Sequence, residues 1–365
     1  MAVLTEEQSM LRDAAKSWVQ EKSPVTAFRK VRDSGAALNY DTAAWSEMAD
    51  MGWAGVIIPE EYGGSSFGYL SLGLILEETG RTLTASPLLA SALAAASALM
   101  LGGSDAQKSA WLPKIAEGKA VATLAVDEGP HHAPGKVAAS VSGGKLNGKK
   151  VFVLEGMAAD LLVVSAKAGD VIELYLVKAD AAGVTRQKLS LADNRGAANI
   201  TFENVAVSDA DKLSGGSALL EKVLDRARAG VAAEMLGAAN QAFDVTLDYL
   251  KTRVQFGQVI GSFQALQHRA AKMFTELELS RSAVEAALTA IDNDAPDVPE
   301  LASLAKAKMG DTFHLVSNEM VQMHGGIGMT DAHDAGFYLK RARACEAAFG
   351  NQAFHRDRYA RIQGY

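Results

Sequence analysis

The sequence is poor in residues on which several classes of protein depend. It contains a single cysteine, Cys345, among 365 residues. One cysteine excludes an intramolecular disulfide framework and is compatible with a reducing compartment such as the cytoplasm. Histidine is also sparse, at 7 residues, and neither His268 nor His324 has a second ligand residue at metal-binding spacing. We therefore expect no metal site, and we interpret these two histidines as hydrogen-bonded or surface residues.

Positive charge is scarce as well. There are 36 Lys and Arg residues against 43 Asp and Glu residues, which gives a net charge of -7 and a pI near 5.6. No run of basic residues occurs along the chain. Because surfaces that bind nucleic acid or anionic lipid normally carry a basic excess, we expect neither a nucleic-acid partner nor a membrane partner.

Long apolar runs are missing too. The longest apolar stretch, Leu88 to Gly103, is rich in alanine and shorter than a helix that crosses a bilayer. The first residues include Glu6 and Glu7, where a secretion signal would carry basic residues. We therefore expect a cytoplasmic protein.

What the chain does contain is enough apolar residues for a large core. Hydrophobic residues make up 48% of the sequence, and a chain of this length suits two or three domains. Residues 1–118 show helical spacing, for example at Leu11, Ala14, Ala15 and Trp18. We predict an N-terminal helical domain over this range.

The pattern changes to strands over residues 119–212. Short runs rich in branched and aromatic residues, such as LLVVSA and IELYLV, are separated by turn-forming residues. We predict a middle β-sandwich or small barrel domain over this range. Within it, the segment KLNGKKVFVL predicts a hairpin whose tight turn is Asn147-Gly148.

Residues 213–365 return to helical spacing, with longer helices. Three apolar faces run from Leu220 to Leu250, from Phe263 to Val284 and from Leu301 to Met323. Long helices with short connections are typical of a four-helix bundle. The predicted fold class is therefore an α+β multidomain protein: a helical domain, a β domain and a C-terminal four-helix bundle.

Three segments carry a resemblance to a known family. They are WSEMADMGWAGVIIPEEYGG (Trp45 to Gly64), RVQFGQVIGSFQALQHRAAKM (Arg253 to Met273) and QMHGGIGMT (Gln322 to Thr330). Together, and in this order, they resemble signatures of the acyl-CoA dehydrogenase superfamily. The resemblance implies FAD as cofactor, an acyl-CoA thioester as substrate and an electron-transfer flavoprotein as electron acceptor.

The second and third segments supply the residues that the resemblance implies at the FAD. They are Arg253, Gln255, Phe256, Gln264, Gln322, Gly325 and Gly326. An arginine can direct two donors onto pyrophosphate oxygens, and glycines allow a backbone to approach the cofactor closely. Glutamine amides offer donors and acceptors to ribose or adenine. In the family these elements reach the cofactor across a subunit interface, which implies an oligomer.

The catalytic base of the family is missing from both of its usual positions. Family chemistry removes a proton from the carbon next to the thioester with a carboxylate of raised pKa and passes hydride from the next carbon to the flavin. Most members use a glutamate followed by Gly-Thr, where this chain has Phe349 before Gly350. A smaller group places the base just before an arginine that resembles Arg228, where this chain has Ala227. The catalytic residue is thus unknown.

Three carboxylates near these positions are possible substitutes, namely Asp225, Glu234 and Glu346. Charged residues on the helices of a bundle are normally solvated. We therefore expect each of the three to be a helix-surface charge.

The β region departs from the family pattern as well. AVDEGPHHAPGK (Ala125 to Lys136) stands where members usually carry Thr-Glu-Pro and Gly-Ser-Asp, and VFVLEG (Val151 to Gly156) replaces the Trp-Ile-Thr that covers the flavin ring. The adenine and pyrophosphate end of the FAD site is retained, and the ring end is eroded. This combination resembles the degenerate subunit of heteromeric bacterial acyl-CoA dehydrogenases that act on steroid side chains.

Three functional hypotheses follow. The leading one is an acyl-CoA dehydrogenase, or its FAD-binding partner subunit, assembled as a homo-oligomer or as a heterotetramer with a catalytic acyl-CoA dehydrogenase subunit. The second is an inactive scaffold of the same fold. The third is a flavin enzyme of this fold with other chemistry, such as monooxygenation or nitroalkane oxidation.

Overall fold

A computed structural model describes residues 3–365. Eleven α-helices occur in this part of the chain: α1 (Glu6–Lys22), α2 (Val25–Ser34), α3 (Thr42–Asp50), α4 (Tyr69–Arg81), α5 (Ala96–Gly102), α6 (Asp105–Ala116), α7 (Gly216–Thr252), α8 (Gln264–Asp292), α9 (Val298–His324), α10 (Ala335–Ala347) and α11 (Gln352–Ile362). A π-helix, Leu88–Ala95, leads into α5.

Ten strands lie in the same range: β1 (Ala122–Ala125), β2 (Ser140–Ser142), β3 (Lys145–Leu154), β4 (Leu161–Ala168), β5 (Val171–Lys178), β6 (Val184–Lys188), β7 (Ala197–Ala206), β8 (Lys212–Leu213), β9 (Val254–Gln255) and β10 (Gln258–Val259). Strands β1 to β8 form one mixed sheet in the order β6-β7-β3-β2-β4-β5-β8, with β1 parallel to β4. The helical, then β, then helical order predicted from the sequence is confirmed.

The predicted turn at Asn147-Gly148 is wrong. Strand β3 continues through both residues, and Asn147 pairs with Ser140 of β2. The turn between β2 and β3 lies instead at Gly143 and Gly144, whose φ angles are +55° and +70°. Gly148 sits at a shift of register between β3 and β7, where its φ of +146° accommodates a bulge.

Apolar residues of the strands build the core of the β region. Leu146, Leu162, Val164 and Phe202 are almost completely buried and belong to one continuous cluster. Long runs of buried residues occur in β4, whose first six residues are all buried, as expected for a strand with both faces covered.

The described chain divides into two compact units. One contains residues 3–28, 73–84 and 228–365, and the other contains residues 29–72 and 85–227. The domain boundaries proposed from the sequence, at residues 118 and 212, remain a prediction.

Within the first unit, α4 and α7 approach each other through glycines. A Cβ atom on Gly237 would lie 1.7 Å from the carbonyl oxygen of Glu77, and one on Gly80 would lie 2.1 Å from that of Glu234. Only glycine permits backbones to pack this closely. The buried residues of α7 on either side of this crossing complete the core of the unit.

No helix among residues 3–365 has both the length and the apolar character needed to cross a membrane. The same residues contain no group of three or more His, Cys, Asp and Glu side chains placed to hold a metal ion.

Candidate functional site

Strands β9 and β10 form a two-residue hairpin between α7 and α8. Gln258 pairs with Gln255, and the turn consists of Phe256 and Gly257, with φ angles of +55° and +78°. Positive φ at both central residues is the geometry of a type I′ turn. Gly257, which has no Cβ atom, adopts its positive φ without steric strain.

Phe256 is held away from the body of the unit. Its side chain is 89% exposed, and its ring meets Phe263 edge-on with centroids 6.0 Å apart. An aromatic residue is an unfavourable choice for a left-handed turn position, because its side chain is strained there. Such an exposed, strained aromatic residue indicates a surface that binds another molecule.

The second glycine-containing element follows α9. Gly325 ends the helix with a φ of +64°, and a 3-10 turn runs from Gly325 to Met329. A Cβ atom added to Gly325 or Gly326 would meet nothing within 4 Å. The backbone at these two glycines is therefore open to close approach by a ligand.

A stack of aromatic rings brings the hairpin and the glycine turn to the same end of the unit. The Tyr249 ring near the end of α7 lies 4.4 Å from the ring of His324, the residue before Gly325. Tyr249 also accepts a hydrogen bond of 2.8 Å at its carbonyl oxygen from the Arg253 N–H. The base of the hairpin and the start of the glycine turn are thus neighbours.

Several polar side chains on these elements have no partner among residues 3–365. Arg253, Gln264 and Gln322 are exposed, and no described residue forms a side-chain hydrogen bond or ion pair with any of them. Gln255 donates only to the carbonyl oxygen of Val254. A guanidinium without a partner, several amides, a backbone without side chains at Gly325 and Gly326 and an exposed aromatic ring fit the pyrophosphate, ribose and adenine of FAD.

Phe349, which stands where most family members carry the catalytic glutamate, lies in a turn that several side chains hold in place. Phe349 has a φ of +56°. Its carbonyl oxygen accepts a hydrogen bond of 3.1 Å from His355 Nε2 and a longer one of 3.4 Å from Arg228 Nε. Lys306 Nζ donates to the carbonyl oxygens of Gly350 at 2.8 Å and Glu346 at 3.2 Å. Buried cationic and imidazole groups thus hold the backbone of this turn.

Burial dominates the protonation of these groups. It lowers the pKa of Lys306 from 10.5 to about 8, against the opposing charges of Cys345 and Glu346. It also lowers the pKa of His355 to about 2, and the nearby positive charges of Arg228 and Lys306 add to the effect. His355 is therefore neutral, with its Nε2–H directed at the Phe349 carbonyl.

The three substitute carboxylates are not the solvated surface charges that we expected. Asp225 is 2% exposed and Glu234 is 6% exposed. Glu234 accepts two hydrogen bonds from Arg341, at 2.8 and 3.1 Å. Glu346 is half-buried and accepts from Arg343 at 2.8 Å. The expectation failed because long helices buried on several sides pair their charges internally.

In the other unit, the carboxylates of the loop after β1 form hydrogen bonds within the same unit. Glu128 accepts hydrogen bonds from the N–H groups of Ala138 and Ala139 and from the buried Lys150, at 2.7 to 3.0 Å. Burial raises the pKa of Glu128, but these hydrogen bonds outweigh it and lower the pKa overall. The carboxylate that stands in the Thr-Glu-Pro region is thus committed to internal contacts.

A second carboxylate in this loop is committed in the same way. Asp127 contacts His132 Nδ1 at 2.9 Å and accepts from the Ala133 N–H at 3.1 Å.

Phe152, in the segment that replaces Trp-Ile-Thr, has a φ of +53° and is 51% exposed. It lies at a register shift of β3, and Leu154 two residues later carries no hydrogen-bonding side chain.

The sequence did not reveal the ring contacts of Tyr249 and His333, although it did indicate the state of two other histidines. His324 was correctly interpreted as hydrogen-bonded, since its Nδ1 donates to the Met320 carbonyl oxygen at 2.7 Å, and His268 is exposed. The ring contacts of Tyr249 and His333 with His324 depend on three separate segments. A single sequence carries no local signal for such a contact.

Comparison with known proteins places these features in a family. The family models for the N-terminal and C-terminal domains of acyl-CoA dehydrogenase match residues 5–119 and 214–363. The acyl-CoA dehydrogenase IpdE2 of Mycobacterium tuberculosis is 30% identical over 339 residues, which cover 92% of this chain and 91% of that protein.

Two solved structures are similar over nearly the whole chain. The Tcur3481-Tcur3483 steroid ACAD has a TM-score of 0.89 at 31% identity and covers 98% of both chains. The ChsE4-ChsE5 complex from Mycobacterium tuberculosis has a TM-score of 0.92 at 25% identity and covers 100% of both. The chain therefore belongs to the acyl-CoA dehydrogenase family of FAD-dependent oxidoreductases.

Proposed function

We propose that this chain is the FAD-binding partner subunit of a heteromeric acyl-CoA dehydrogenase. Its C-terminal helices would contribute contacts to a flavin whose ring and substrate are held by a catalytic subunit. The observation that carries the proposal is an asymmetry within the chain. The exposed set around Arg253 and Gly325 is intact, while the base positions hold the apolar residues Phe349 and Ala227.

Each retained residue has a defined role in this proposal. The Arg253 guanidinium neutralises the pyrophosphate, and the absence of side chains at Gly325 and Gly326 lets the backbone approach it closely. Gln255, Gln264 and Gln322 bind ribose and adenine groups, and Phe256 packs against an aromatic ring. FAD, when bound, supplies the acceptor for the hydride that leaves the acyl group.

The β region supports assigning the flavin ring to another subunit. Asp127 and Glu128 are occupied by contacts with His132 and Lys150. The segment VFVLEG (Val151 to Gly156) contains neither the Trp nor the Thr that the resemblance implies at the flavin ring. A chain that kept the ring would be expected to keep polar side chains free for it.

Relatives support the substrate class and the assembly. The Tcur3481-Tcur3483 relative is named as a steroid ACAD with two components, and ChsE4-ChsE5 is named as a complex. We propose a bulky, steroid-type acyl-CoA as the substrate of the assembly, an electron-transfer flavoprotein as its electron acceptor, and the cytoplasm as its location. We also propose domains at 1–118, 119–212 and 213–365, supported by the ranges of the two family models.

The first prediction tests the cofactor residues. Arg253→Ala removes charge-assisted hydrogen bonds that contribute roughly 1.5–3 kcal/mol each, so FAD affinity of the co-purified heteromer should fall about 10- to 100-fold. The flavin-to-protein ratio, measured by absorbance during dilution, reports this loss. Lys251→Ala, which removes a neighbouring exposed cation, is the matched control and should retain flavin. Equal flavin retention in both variants would refute the assigned site.

A further inference from the structure

Three aromatic side chains from three segments form a continuous row of tilted ring contacts, which we call the stack. Tyr249 comes from the last turns of α7, His324 from the end of α9 and His333 from the turn before α10. The ring centroids are 4.4 Å apart between Tyr249 and His324 and 4.3 Å apart between His324 and His333. His324, in the middle of the stack, is 4% exposed.

Backbone groups fix the orientation and charge state of both histidines. His324 Nδ1 donates to the Met320 carbonyl oxygen at 2.7 Å, and His333 Nδ1 accepts from the Ala335 N–H at 3.1 Å. A nitrogen that accepts a hydrogen bond carries no proton, so this geometry requires a neutral His333. Burial lowers the pKa of His324, although the hydrogen bond to the Met320 carbonyl oxygen opposes this effect.

The stack is placed between the two elements that carry the cofactor residues. Tyr249 accepts the backbone hydrogen bond from Arg253 at the base of the hairpin. His324 is directly followed by Gly325 and lies within one turn of Gln322. A shift of either histidine would therefore displace the hairpin and the glycine turn together.

We propose that Tyr249, His324 and His333 are positioning residues that lock the Arg253 hairpin and the Gly325–Gly326 turn into one rigid surface for the adenosine pyrophosphate end of FAD. The role toward FAD rests on the proposed function. The mechanical coupling between the two elements does not, because it depends only on contacts within this chain.

The surroundings of His324 make the coupling sensitive to acid. The titratable groups that face it are Tyr249 from α7 and His333 from the turn before α10, and its own helix presents the Met320 carbonyl. Protonation of His324 would place a buried cation in ring contact with Tyr249 and His333. Because burial lowers the pKa of His324 below 6.5, the two elements should loosen together as the pH falls below that value.

Amide hydrogen exchange on the purified full chain tests the coupling without flavin or partner. His333→Ala should lower the protection factors of residues 253–260 and 325–329 together, by about 3- to 10-fold, as expected for the loss of one aromatic contact. His333→Phe keeps a ring and should restore most of the protection. His268→Ala, which removes an exposed histidine outside the stack, should change neither segment. A change confined to one segment would overturn the coupling.

A pH series separates positioning from a general structural effect. Protection of both segments in the wild type should fall as the pH is lowered from 7.5 to about 5.5, while the double variant His324→Phe, His333→Phe should stay level. A parallel fall in the double variant would refute the role of the imidazoles.

Flavin content of the heteromer then tests the role toward FAD. His333→Ala should reduce it and His333→Phe should restore it. Coupled protection with unchanged flavin content would refute the cofactor role alone. Full flavin in Arg253→Ala would instead refute the proposed function.

Discussion

At the residue scale, the turn at Phe349 is organised around backbone carbonyl groups. Arg228, Lys306 and His355 all donate to carbonyl oxygens of residues 346–350. The cations remain buried although no carboxylate occupies position 349. We infer that the shape of this turn is retained for packing, while proton abstraction belongs to another chain.

Lys306 gives a prediction about stability and pH. Its pKa is lowered from 10.5 to about 8 in the folded chain, so the unfolded chain binds more protons between these values. Stability should therefore rise as the pH increases through this window, by about 3 kcal/mol. Urea unfolding from pH 7.5 to 10.5 measures the rise.

The comparison variant is Lys306→Met. Its free energy of unfolding should not rise between pH 7.5 and 10.5, whatever its value at pH 7.5. Lys308→Met, on the same helix and paired with Glu276, should keep the rise. A rise of equal size in Lys306→Met would contradict the assignment of this pH dependence to the buried lysine.

Sequence patterns pointed to the exposed residues that we propose for the cofactor, but not to the buried contacts that hold the surrounding structure. Arg253 and Gly325 stand in ordered motifs whose spacing is visible in a single chain. The burial of Glu234 against Arg341 and the Lys306 contacts with the turn join residues roughly 40 or more positions apart. Such pairs depend on tertiary packing, which local patterns do not encode.

At the element scale, the turn of the β9–β10 hairpin contains a residue that is unfavourable for its backbone conformation. A two-residue type I′ turn favours Asn-Gly, and this chain has Phe256-Gly257. An aromatic residue in the left-handed region costs about 1 kcal/mol relative to a residue that tolerates it. A strained residue that remains 89% exposed contributes little to the core, so we attribute it to binding.

Phe256→Asn separates these two roles. Thermal unfolding should show equal or higher stability, by up to about 1 kcal/mol, while the heteromer should retain less flavin. Gly257→Ala makes the opposite change, since it keeps Phe256 and strains the turn at a φ of +78°. If Phe256→Asn both retained flavin and raised stability, the ring would have no binding role.

The crossing of α4 and α7 predicts a large packing effect. Gly237→Ala would place a Cβ atom 1.7 Å from the Glu77 carbonyl oxygen, so the helices must separate. We expect a loss of roughly 3 kcal/mol in the free energy of unfolding. Gly336→Ala, with open space around its Cβ position, should be neutral or slightly stabilising. Equal effects of the two variants would contradict the close crossing.

Turn prediction in the β region failed for a comparable long-range reason. Gly143-Gly144 and Asn147-Gly148 are both suited to positive φ. Pairing of β3 with β7, nearly 60 residues later, keeps Asn147 within the strand and leaves the turn to the earlier pair. Local preference allowed both turns, and pairing between distant strands decided between them.

At the scale of the whole molecule, fold and family follow from ordered motifs and from the succession of helical and β regions. The proposal that another subunit carries out catalysis follows from a difference between two parts of this chain. The residues that we propose for the cofactor are exposed, whereas Asp127 and Glu128 form internal contacts and Phe349 is apolar. Such a chain is expected to complete its site only with a second subunit.

Absorption spectra of the chain purified alone and after co-expression with a catalytic acyl-CoA dehydrogenase subunit test this account most directly. We predict no visible absorption band of oxidised flavin for the chain alone. We predict a band for the co-purified heteromer that bleaches when a bulky acyl-CoA is added. A flavin-loaded single chain that bleaches with acyl-CoA would contradict the account, as would a heteromer without flavin.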